Sequence, residues 1–489
     1  MAFWRLGMRE KILKLFADNN TVLAPDGWNL LSDVDNPKSV VENILCDCDK
    51  DDLPFPVDAK WLQSYIAPTK SEIPTNGSDP STESAVMMVK VMHDITGNST
   101  CTGELKDFIT HFNNRYEKLR AILSKRREGR GCLDISVAKK RTGKAKIIAM
   151  VGDMTETRNG YKILSLEDGK DKIKGMINPN SPAYDKFVLE DEVIIAIGEV
   201  APKKKQYQET FFIDDIIRPS LPRHGNNVSK RGIEGKIAFI GDLHVGSESF
   251  MKESWSKFIS WINSEDTVAK DIRYIIVPGD MIDGIGIYPN QRDDLEISDV
   301  YEQYREVARM LSEIPDRISV ITIPGNHDIV RNPEPQPGLP EDVQSMFSSN
   351  VLFFGNPALV DICDLKILMY HGSSITDLAD IHPNVSNEKP TTAMIEMLER
   401  RHLVPVYGKK TPIAPEEQDH LLIDEVPDIF VTGHIHRCNI EEYRGVMLIN
   451  SSTWQEQTDY QKMRDIKPEP AKVVILDSSS KKVSIKNFA

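Results

Sequence analysis

The sequence predicts an α/β domain, built as a layered sheet sandwich flanked by helices, preceded by a small β-barrel and an N-terminal helical module. Three patterns support this prediction. Apolar residues recur at helical spacing within residues 1–66, and five short apolar segments separated by turn residues follow in residues 132–222. From residue 233 onward, apolar strands alternate with helices. Such alternation is typical of a layered α/β domain.

The size and composition of the chain agree with several folded domains. It has 489 residues, of which 40% are hydrophobic and 27% charged, and it is too apolar for a disordered chain. Lys and Arg number 60 and Asp and Glu number 74, which gives a formal net charge of −14. This charge argues mildly against nucleic-acid binding by bulk charge alone. No apolar run approaches the roughly 20 residues of a membrane helix.

Residues 1–66 are expected to form a small helical docking module. Short helices are predicted at Met8–Ala17, Val40–Leu45 and Ala59–Ile66. Residues 67–84 are rich in Pro, Ser, Thr, Gly and Asn, which predicts a flexible linker, so the module is expected to move independently.

The first residues lack the pattern of a signal peptide, and the six cysteines are scattered. Cys46 and Cys48 form an isolated pair, so a structural zinc site is not expected. Together these features predict a cytoplasmic protein in a reducing compartment.

Residues 85–131 predict a connector, with a short strand followed by a helix from about Thr102 to Lys125. Residues 132–222 predict five strands with a helical interruption near Tyr184–Val188, which favours an OB-fold barrel. Such a barrel can bind single-stranded nucleic acid or serve as a subunit interface, and the pattern leaves both roles open.

In the α/β region, residues 233–489, five apolar strands each end in a short run of residue types that bind metals. Strand ends in open α/β sheets are where ligands are held, and glycines beside them let the backbone turn sharply. The runs are Gly241-Asp242-Leu243-His244, Gly279-Asp280, Gly325-Asn326-His327-Asp328, His371-Gly372 and Gly433-His434-Ile435-His436.

These side chains are sufficient for a site with two metal ions. One ion can be held by Asp242, His244, Asp280 and His436, and the other by Asp280, Asn326, His371 and His434, with Asp280 shared. Mixed nitrogen and oxygen ligands without thiolate suit Mn²⁺, Zn²⁺ or Fe, and Mg²⁺ is a further candidate. Each motif alone is weak, because Gly-Asp and Gly-Asn are also ordinary turn dipeptides. Five of the eleven histidines nevertheless fall in these motifs, each after an apolar strand.

This arrangement resembles the calcineurin-like metallophosphoesterase superfamily over residues 233–476. The segment 277–291 lacks the arginine that follows the second aspartate in phosphoprotein phosphatases. Together with the barrel, linker and N-terminal module, nearly the whole chain resembles the small subunits of archaeal family D DNA polymerases. Because every ligand position is intact, the resemblance implies the active form, a proofreading 3′→5′ exonuclease for single-stranded or mispaired DNA ends.

The resemblance also implies partners and roles. A large catalytic subunit would carry polymerisation in a heterodimer or heterotetramer that also contacts DNA, with a sliding clamp reached through the holoenzyme and no membrane. Two divalent ions, Mn²⁺ foremost, would act with His327, which would contact the phosphate and protonate the leaving oxygen. Asp328 could orient His327 or cap the following turn, and Asp283 is expected to be an orienting or turn residue. The candidate substrate contacts are Tyr288, Arg292 and Arg331.

The sequence leaves three alternatives to the proofreading subunit. A scaffold subunit predicts lost ligands, a stand-alone repair nuclease predicts a further domain after residue 436, and a phosphatase predicts no barrel.

Overall fold

The computed structural model describes residues 89–141, 143–201, 209–222, 235–463 and 465–489, with isolated residues between positions 12 and 62. The chain divides into two compact units, Met1–Glu83 and Ser84–Ala489. In the first unit, residues 12–16 are helical. Its described apolar side chains form a small core of Ile12, Phe16, Leu31, Val41, Val57 and Leu62. Most of the predicted helical module and the whole predicted linker lie outside the described residues.

The second unit begins with strand β1 (Val89–His93) and helix α1 (Leu105–Lys125). The helix starts later than the predicted position near Thr102. The carboxylate of Asp107 accepts hydrogen bonds from the backbone N–H groups of Thr102 and Glu104, at 2.9 and 3.1 Å. Asp107 thus satisfies donors at the helix terminus from inside the first turn, an arrangement that stabilises a helix start.

Five strands form a closed barrel in the order β2-β3-β4-β6-β5. Helix α2 contributes Ile135 and Ala138 to the barrel core. The elements are α2 (Ile135–Ala138), β2 (Gly143–Glu156), β3 (Lys162–Glu167), β4 (Lys172–Ile177), β5 (Val193–Ala201) and β6 (Thr210–Ile217).

Two local predictions for the barrel region were wrong. The first of the five strands expected in residues 132–222 was the segment from Leu133 onward. Residues Ile135–Ala138 form the short helix α2 instead, and β2 begins at Gly143. The predicted helix near Tyr184–Val188 is a pair of turns. There the Ser181 hydroxyl donates to the carbonyl of Ile213 at 3.1 Å, which ties the segment to β6 in a turn conformation.

The α/β domain contains two six-stranded sheets. One has the order β10-β9-β8-β7-β16-β17 and the other β1-β11-β12-β13-β15-β14. Strands of the first sheet are β7 (Lys236–Phe239), β8 (Ile272–Val277), β9 (Ser319–Thr322), β10 (Val351–Phe353), β16 (Lys472–Asp477) and β17 (Val483–Asn487). Strands of the second are β11 (Ala358–Ile362), β12 (Leu365–Met369), β13 (Ile429–Thr432), β14 (Asn439–Tyr443) and β15 (Val446–Asn450), with β1 at its edge.

Helices cover the outer faces of both sheets. They are α3 (Lys252–Ile262), α4 (Thr267–Asp271), α5 (Val300–Leu311), α6 (Glu341–Gln344), α7 (Ser374–Ile381) and α8 (Thr391–Arg400). Helix α9 (Asp459–Met463), which has no buried residue, and a 3₁₀ turn at Gln291–Asp294 are not part of this cover. Within the described residues, none of the helices is both long enough and apolar enough to cross a bilayer.

Successive side chains along a strand point to opposite faces of its sheet. In β7, Ile237 and Phe239 pack between the two sheets, whereas Ala238 packs outward against α3 and α5. In β13, Val431 lies in the same inter-sheet core, and Phe430 packs outward against α7 and α8. The predicted sandwich flanked by helices is therefore the observed architecture.

Candidate metal centre

The strand-end motifs meet at one edge of the sandwich. Strands β7, β8 and β9 of one sheet lead to Asp242, Asp280 and Asn326, and β12 and β13 of the other lead to His371 and His434. Strands β7 and β12 each have one antiparallel neighbour, β16 and β11 respectively. All other pairings among these strands are parallel, so their carboxyl ends coincide within each sheet. The sequence prediction that separate strand ends build one site agrees with this topology.

The backbone at this edge is held in an unfavourable conformation. Five non-glycine residues have positive φ angles, from 42° to 67°: Asp242, His244, Asp280, His434 and His436. Such angles are uncommon for residues with a side chain and cost free energy unless the surroundings enforce them. Their concentration among the predicted ligands marks this edge as a functional site.

Two glycines permit the ligands to approach the backbone. A Cβ atom on Gly325 would lie 2.1 Å from Oδ1 of Asp280, and one on Gly433 would lie 2.4 Å from Oδ1 of Asp242. Both distances are far below van der Waals contact. The glycines in these two motifs are thus required by the carboxylates next to them.

The first predicted ligand group converges on a small volume. Nε2 of His244 lies 3.0 Å from Nε2 of His436 and 3.7 Å from Oδ2 of Asp280. Nε2 of His436 lies 3.5 Å from Oδ2 of Asp242. Four side chains that point nitrogen and oxygen atoms at one another in this way are suited to a cation between them.

The second predicted group lies on the other side of Asp280. Oδ2 of Asp280 is 3.3 Å from Nε2 of His371, and Oδ1 of Asn326 is 2.9 Å from both Nε2 of His371 and Nδ1 of His434. The same Asp280 oxygen faces His244 and His371, so this carboxylate is placed to be shared.

Asp242 provides a test of whether these residues fit a metal ion. Its side chain is fully buried, and among the described residues neither carboxylate oxygen accepts a hydrogen bond of good geometry. Burial raises the pKa of the Asp242 carboxyl to about 7. A buried carboxylate without donors is costly, and a cation is what removes that cost. The donor set therefore fits divalent ions.

Hydrogen bonds fix the orientation of the imidazoles. Nδ1 of His371 donates to the carbonyl of Pro278 at 2.8 Å, which leaves Nε2 directed at Asp280. Nδ1 of His244 donates to Oδ1 of Asp283 at 3.1 Å, which leaves its Nε2 directed into the first group. Partners of this kind set the tautomer and raise the basicity of a metal-binding histidine.

Asp283 is therefore an orienting residue, one of the two roles expected for it. Gln455 and Gln291 each donate an amide N–H to its carboxylate at 2.9 Å. Burial opposes ionisation of Asp283, but the hydrogen bond and charge of His244 outweigh it and hold its pKa below the ordinary value.

Burial keeps two of the ligand histidines neutral. It lowers the pKa of His434 to about 3 and places that of His436 well below its ordinary value. At His371 burial works in the same direction, but the charge of Asp280 outweighs it and raises the pKa to about 10. The negative charge that favours a proton on His371 equally favours a metal ion.

His327 lies beside both groups. Its backbone N–H donates to Oδ1 of Asp280 at 2.9 Å, and its ring contacts His244 edge-on with centroids 4.6 Å apart. Nδ1 of His327 donates to the carbonyl of Asp283 at 2.7 Å. Burial lowers the pKa of this imidazole.

Asp328 does not orient His327 in this structure. Its carboxylate accepts the backbone N–H of Gly325 at 2.8 Å and the hydroxyl of Tyr304 at 3.0 Å. Asp328 therefore stabilises the turn that precedes it and carries Asn326, rather than capping the turn that follows it. The Asp283 carbonyl holds His327 instead.

The three predicted substrate contacts lie in different settings. The ring of Tyr288 stacks on Tyr460, and its hydroxyl donates to Asp294 at 3.1 Å. Arg292 is exposed in the 3₁₀ turn. The guanidinium of Arg331 is engaged internally, with the buried carboxylate of Glu416 at 2.7 Å.

Sequence reasoning missed the supporting amides, among them Gln291, Gln455 and Asn356. Gln455 holds Asp283, and Oδ1 of Asn356 accepts the backbone N–H of His371 at 2.9 Å. Gln455 lies five residues after β15 in a largely polar segment, so the strand-end signal was present there too. Asn356 lies in a loop before β11 and carries no such signal.

Comparisons with known proteins agree with the geometry. Residues 235–438 match the family model described as calcineurin-like phosphoesterase. The DNA polymerase II small subunit of Thermoplasma acidophilum is 35% identical over 480 residues, which is 98% of this chain and 93% of the relative. The DNA polymerase II small subunit of Methanothermobacter thermautotrophicus is 36% identical over 96% of this chain and 98% of the relative. That of Archaeoglobus fulgidus is 40% identical over 80% of this chain and 79% of the relative.

Proposed function

The chain belongs to the family of archaeal DNA polymerase II small subunits, and from this premise we propose that it is a metal-dependent 3′→5′ exonuclease. The substrate is a single-stranded or mispaired 3′ end, and a large subunit carries polymerisation. The exonuclease thus proofreads for its partner, in the cytoplasm.

One observation carries this proposal. Two groups of metal-binding atoms share Asp280, namely His244, Asp280 and His327, and Asp280, His371 and His434. Beside them, the buried carboxylate of Asp242 accepts no hydrogen bond of good geometry from the described residues. We propose that Asp242, His244, Asp280 and His436 hold one ion, and that Asp280, Asn326, His371 and His434 hold the other. Nitrogen and oxygen donors without thiolate favour Mn²⁺. When bound, two such ions activate water and neutralise charge on a phosphoryl group.

His327 is proposed to handle the leaving group. Hydrolysis of the terminal phosphodiester breaks the bond between phosphorus and the 3′-oxygen of the penultimate nucleotide, and that oxygen must gain a proton. The carbonyl of Asp283 holds Nδ1–H of His327, so Nε2 is the atom available to the substrate. Burial favours the neutral imidazole, so the proton on Nε2 would come from a charged form that the negative phosphate of the bound substrate stabilises. In that form His327 keeps its bond to Asp283 and delivers the Nε2 proton to the leaving oxygen.

The barrel is proposed to be an OB-fold. Its closed order and the parallel pairing of β4 with β6 support that assignment. Two roles remain for it, as an interface for the large subunit or as a site for single-stranded DNA. The acidic net charge of −14 favours the interface.

The remaining organisation is proposed as the sequence predicts it. Residues 1–66 form a helical docking module, 67–84 a linker, 85–131 a connector, 132–222 the barrel and 233–489 the phosphodiesterase domain. Contact with a sliding clamp would occur through the holoenzyme.

A labelled-DNA assay tests the nuclease. Purified chain is incubated with Mn²⁺ and single-stranded DNA labelled at either end, beside His371→Ala and the control His93→Ala. His93 is a part-buried histidine outside the site. We expect wild type and His93→Ala to release the 3′-terminal mononucleotide first, and His371→Ala to be slower by at least about 100-fold.

The same assay, repeated with the large subunit present, separates the alternatives. DNA degradation that is equal in wild type and His371→Ala would remove the catalytic assignment. Absence of metal-dependent degradation in both settings would favour a scaffold subunit.

A further inference from the structure

Two tyrosines from distant parts of the sequence stack on each other beside the metal centre. Tyr288 lies in the loop that follows Asp280 and Asp283, and Tyr460 lies on α9 near the C-terminus. Their ring centroids are 5.3 Å apart with an interplanar angle of 26°. The mechanism above uses neither ring.

Each tyrosine belongs to a segment that contacts the site. In the segment of Tyr288, the carbonyl of Asp283 holds Nδ1 of His327, the proposed proton donor. In the segment of Tyr460, the side-chain amide of the adjacent residue, Gln461, lies 3.1 Å from Nδ1 of the ligand His436. The pair therefore joins the His327 side of the centre to its His436 side.

The same two segments expose large apolar side chains. Ile285 and Ile287 flank Tyr288 and are 45% and 40% exposed. Met463 and Ile466 follow Tyr460 and are 80% and 40% exposed. These side chains lie on two segments that the tyrosine stack joins, and exposed apolar side chains beside a functional site indicate a surface that binds an apolar or aromatic group.

We propose that Tyr288 and Tyr460, with these four side chains, form a clamp in which the unpaired 3′-terminal nucleobase stacks on the outside of the tyrosine pair, since the two rings already contact each other. The inference rests on the proposed exonuclease function, since that function brings a frayed 3′ end to this edge. A nucleobase offers a flat apolar face to the tyrosines whatever its sequence. A paired base remains stacked in its duplex, so the clamp selects unpaired ends.

Binding to a matched pair of oligonucleotides tests the clamp without metal ions. Both oligonucleotides are single-stranded and carry a 5′ fluorophore. Their last internucleotide linkage, at the 3′ end, is a methylphosphonate, which is neutral and resists hydrolysis. One ends in a normal 3′ base and the other in an abasic sugar, and their affinities for the full-length chain are measured by anisotropy in EDTA. We expect the normal end to bind about 10-fold more tightly, a ratio that corresponds to about 1.4 kcal/mol.

Variants assign that ratio to the clamp. Tyr460→Ala should bring the ratio close to one, while Tyr460→Phe, which keeps the ring, should preserve it. Tyr301→Ala is the matched control, because Tyr301 is 39% exposed on α5. An equal affinity of wild type for both ends, or an unchanged ratio in Tyr460→Ala, would overturn the clamp.

Hydrolysis of ordinary single-stranded DNA in Mn²⁺ is measured in parallel. A preserved base preference without hydrolysis leaves the clamp standing and removes the nuclease. Hydrolysis without a base preference leaves the nuclease standing and removes the clamp, so the two proposals fail separately.

Discussion

Replacing Asp242 with asparagine is expected to change stability in opposite directions with and without metal. The wild-type carboxylate is fully buried and accepts no hydrogen bond of good geometry from the described residues. An uncompensated buried charge costs about 3–5 kcal/mol, and an unsatisfied buried amide about 1–3 kcal/mol. In EDTA, Asp242→Asn should therefore raise the free energy of unfolding by about 2 kcal/mol.

With Mn²⁺ the order should reverse. A ligand at 100 times its dissociation constant stabilises the folded state by about 2.7 kcal/mol, and the variant lacks the charged ligand that provides much of this gain. Urea unfolding can be followed by tryptophan fluorescence, since Trp255, Trp261 and Trp454 lie in the core of this domain. The exposed Asp316→Asn is the matched control. Equal destabilisation by Asp242→Asn in EDTA and in Mn²⁺ would refute the reasoning.

Three further predictions concern the support of the site and the stability of the fold. Asp283→Ala should weaken Mn²⁺ binding by about 10- to 100-fold in a calorimetric titration, because Asp283 orients its neighbouring histidine. Gly325→Ala should abolish the binding of at least one ion in the same titration, because its Cβ would displace Asp280. The free energy of unfolding, measured by urea titration, should fall by about 2 kcal/mol between pH 7 and pH 5 because unfolding lets His402 take up a proton. In the folded chain His402 donates to Asp419 at 2.8 Å.

The sign of the pH effect follows from His402. Burial, helped by the charge of Arg115, lowers its folded-state pKa to about 4. The unfolded chain, with a pKa of about 6.5, therefore takes up its proton first, and stability present above that pH is lost as the pH falls toward 4. His402→Gln should flatten the dependence, and an equally steep slope in that variant would contradict this origin.

Matched controls accompany the two site variants. Asp294→Ala removes a carboxylate from a nearby loop without touching the histidines, and should leave Mn²⁺ affinity within about two-fold of wild type. Gly152→Ala adds a methyl group in the barrel, where its Cβ would meet Cβ of Ser165 at 3.3 Å, and should leave metal binding unchanged. Mn²⁺ titrations of Asp283→Ala or Gly325→Ala that match wild type would contradict the roles given to these residues.

The ligand side chains could be found in the sequence because each follows a short apolar strand directly. Asp242 comes three residues after β7, and His371 two residues after β12. When parallel strands pair, such local patterns place their ends together without further information. The sandwich of sheets and its helical cover followed from the same alternation.

Features that depend on contacts between distant segments could not be found. Gln461 reaches His436, and Tyr460 reaches Tyr288, only because α9 folds back over the site. The engagement of Arg331 by the buried Glu416 is likewise a tertiary contact between residues far apart in sequence. The start of α1 was misplaced for a local reason, because Asp107 accepts the backbone N–H groups of Thr102 and Glu104 from within the helix.

The number of Mn²⁺ ions bound per chain, measured by equilibrium dialysis, bears most closely on the dinuclear centre. We expect two ions for wild type. Asp280→Asn should bind fewer than one at the same free concentration, because the Asp280 carboxylate faces both groups at 3.7 and 3.3 Å. A single ion in wild type, or two ions of unchanged affinity in Asp280→Asn, would contradict a centre built around a shared carboxylate.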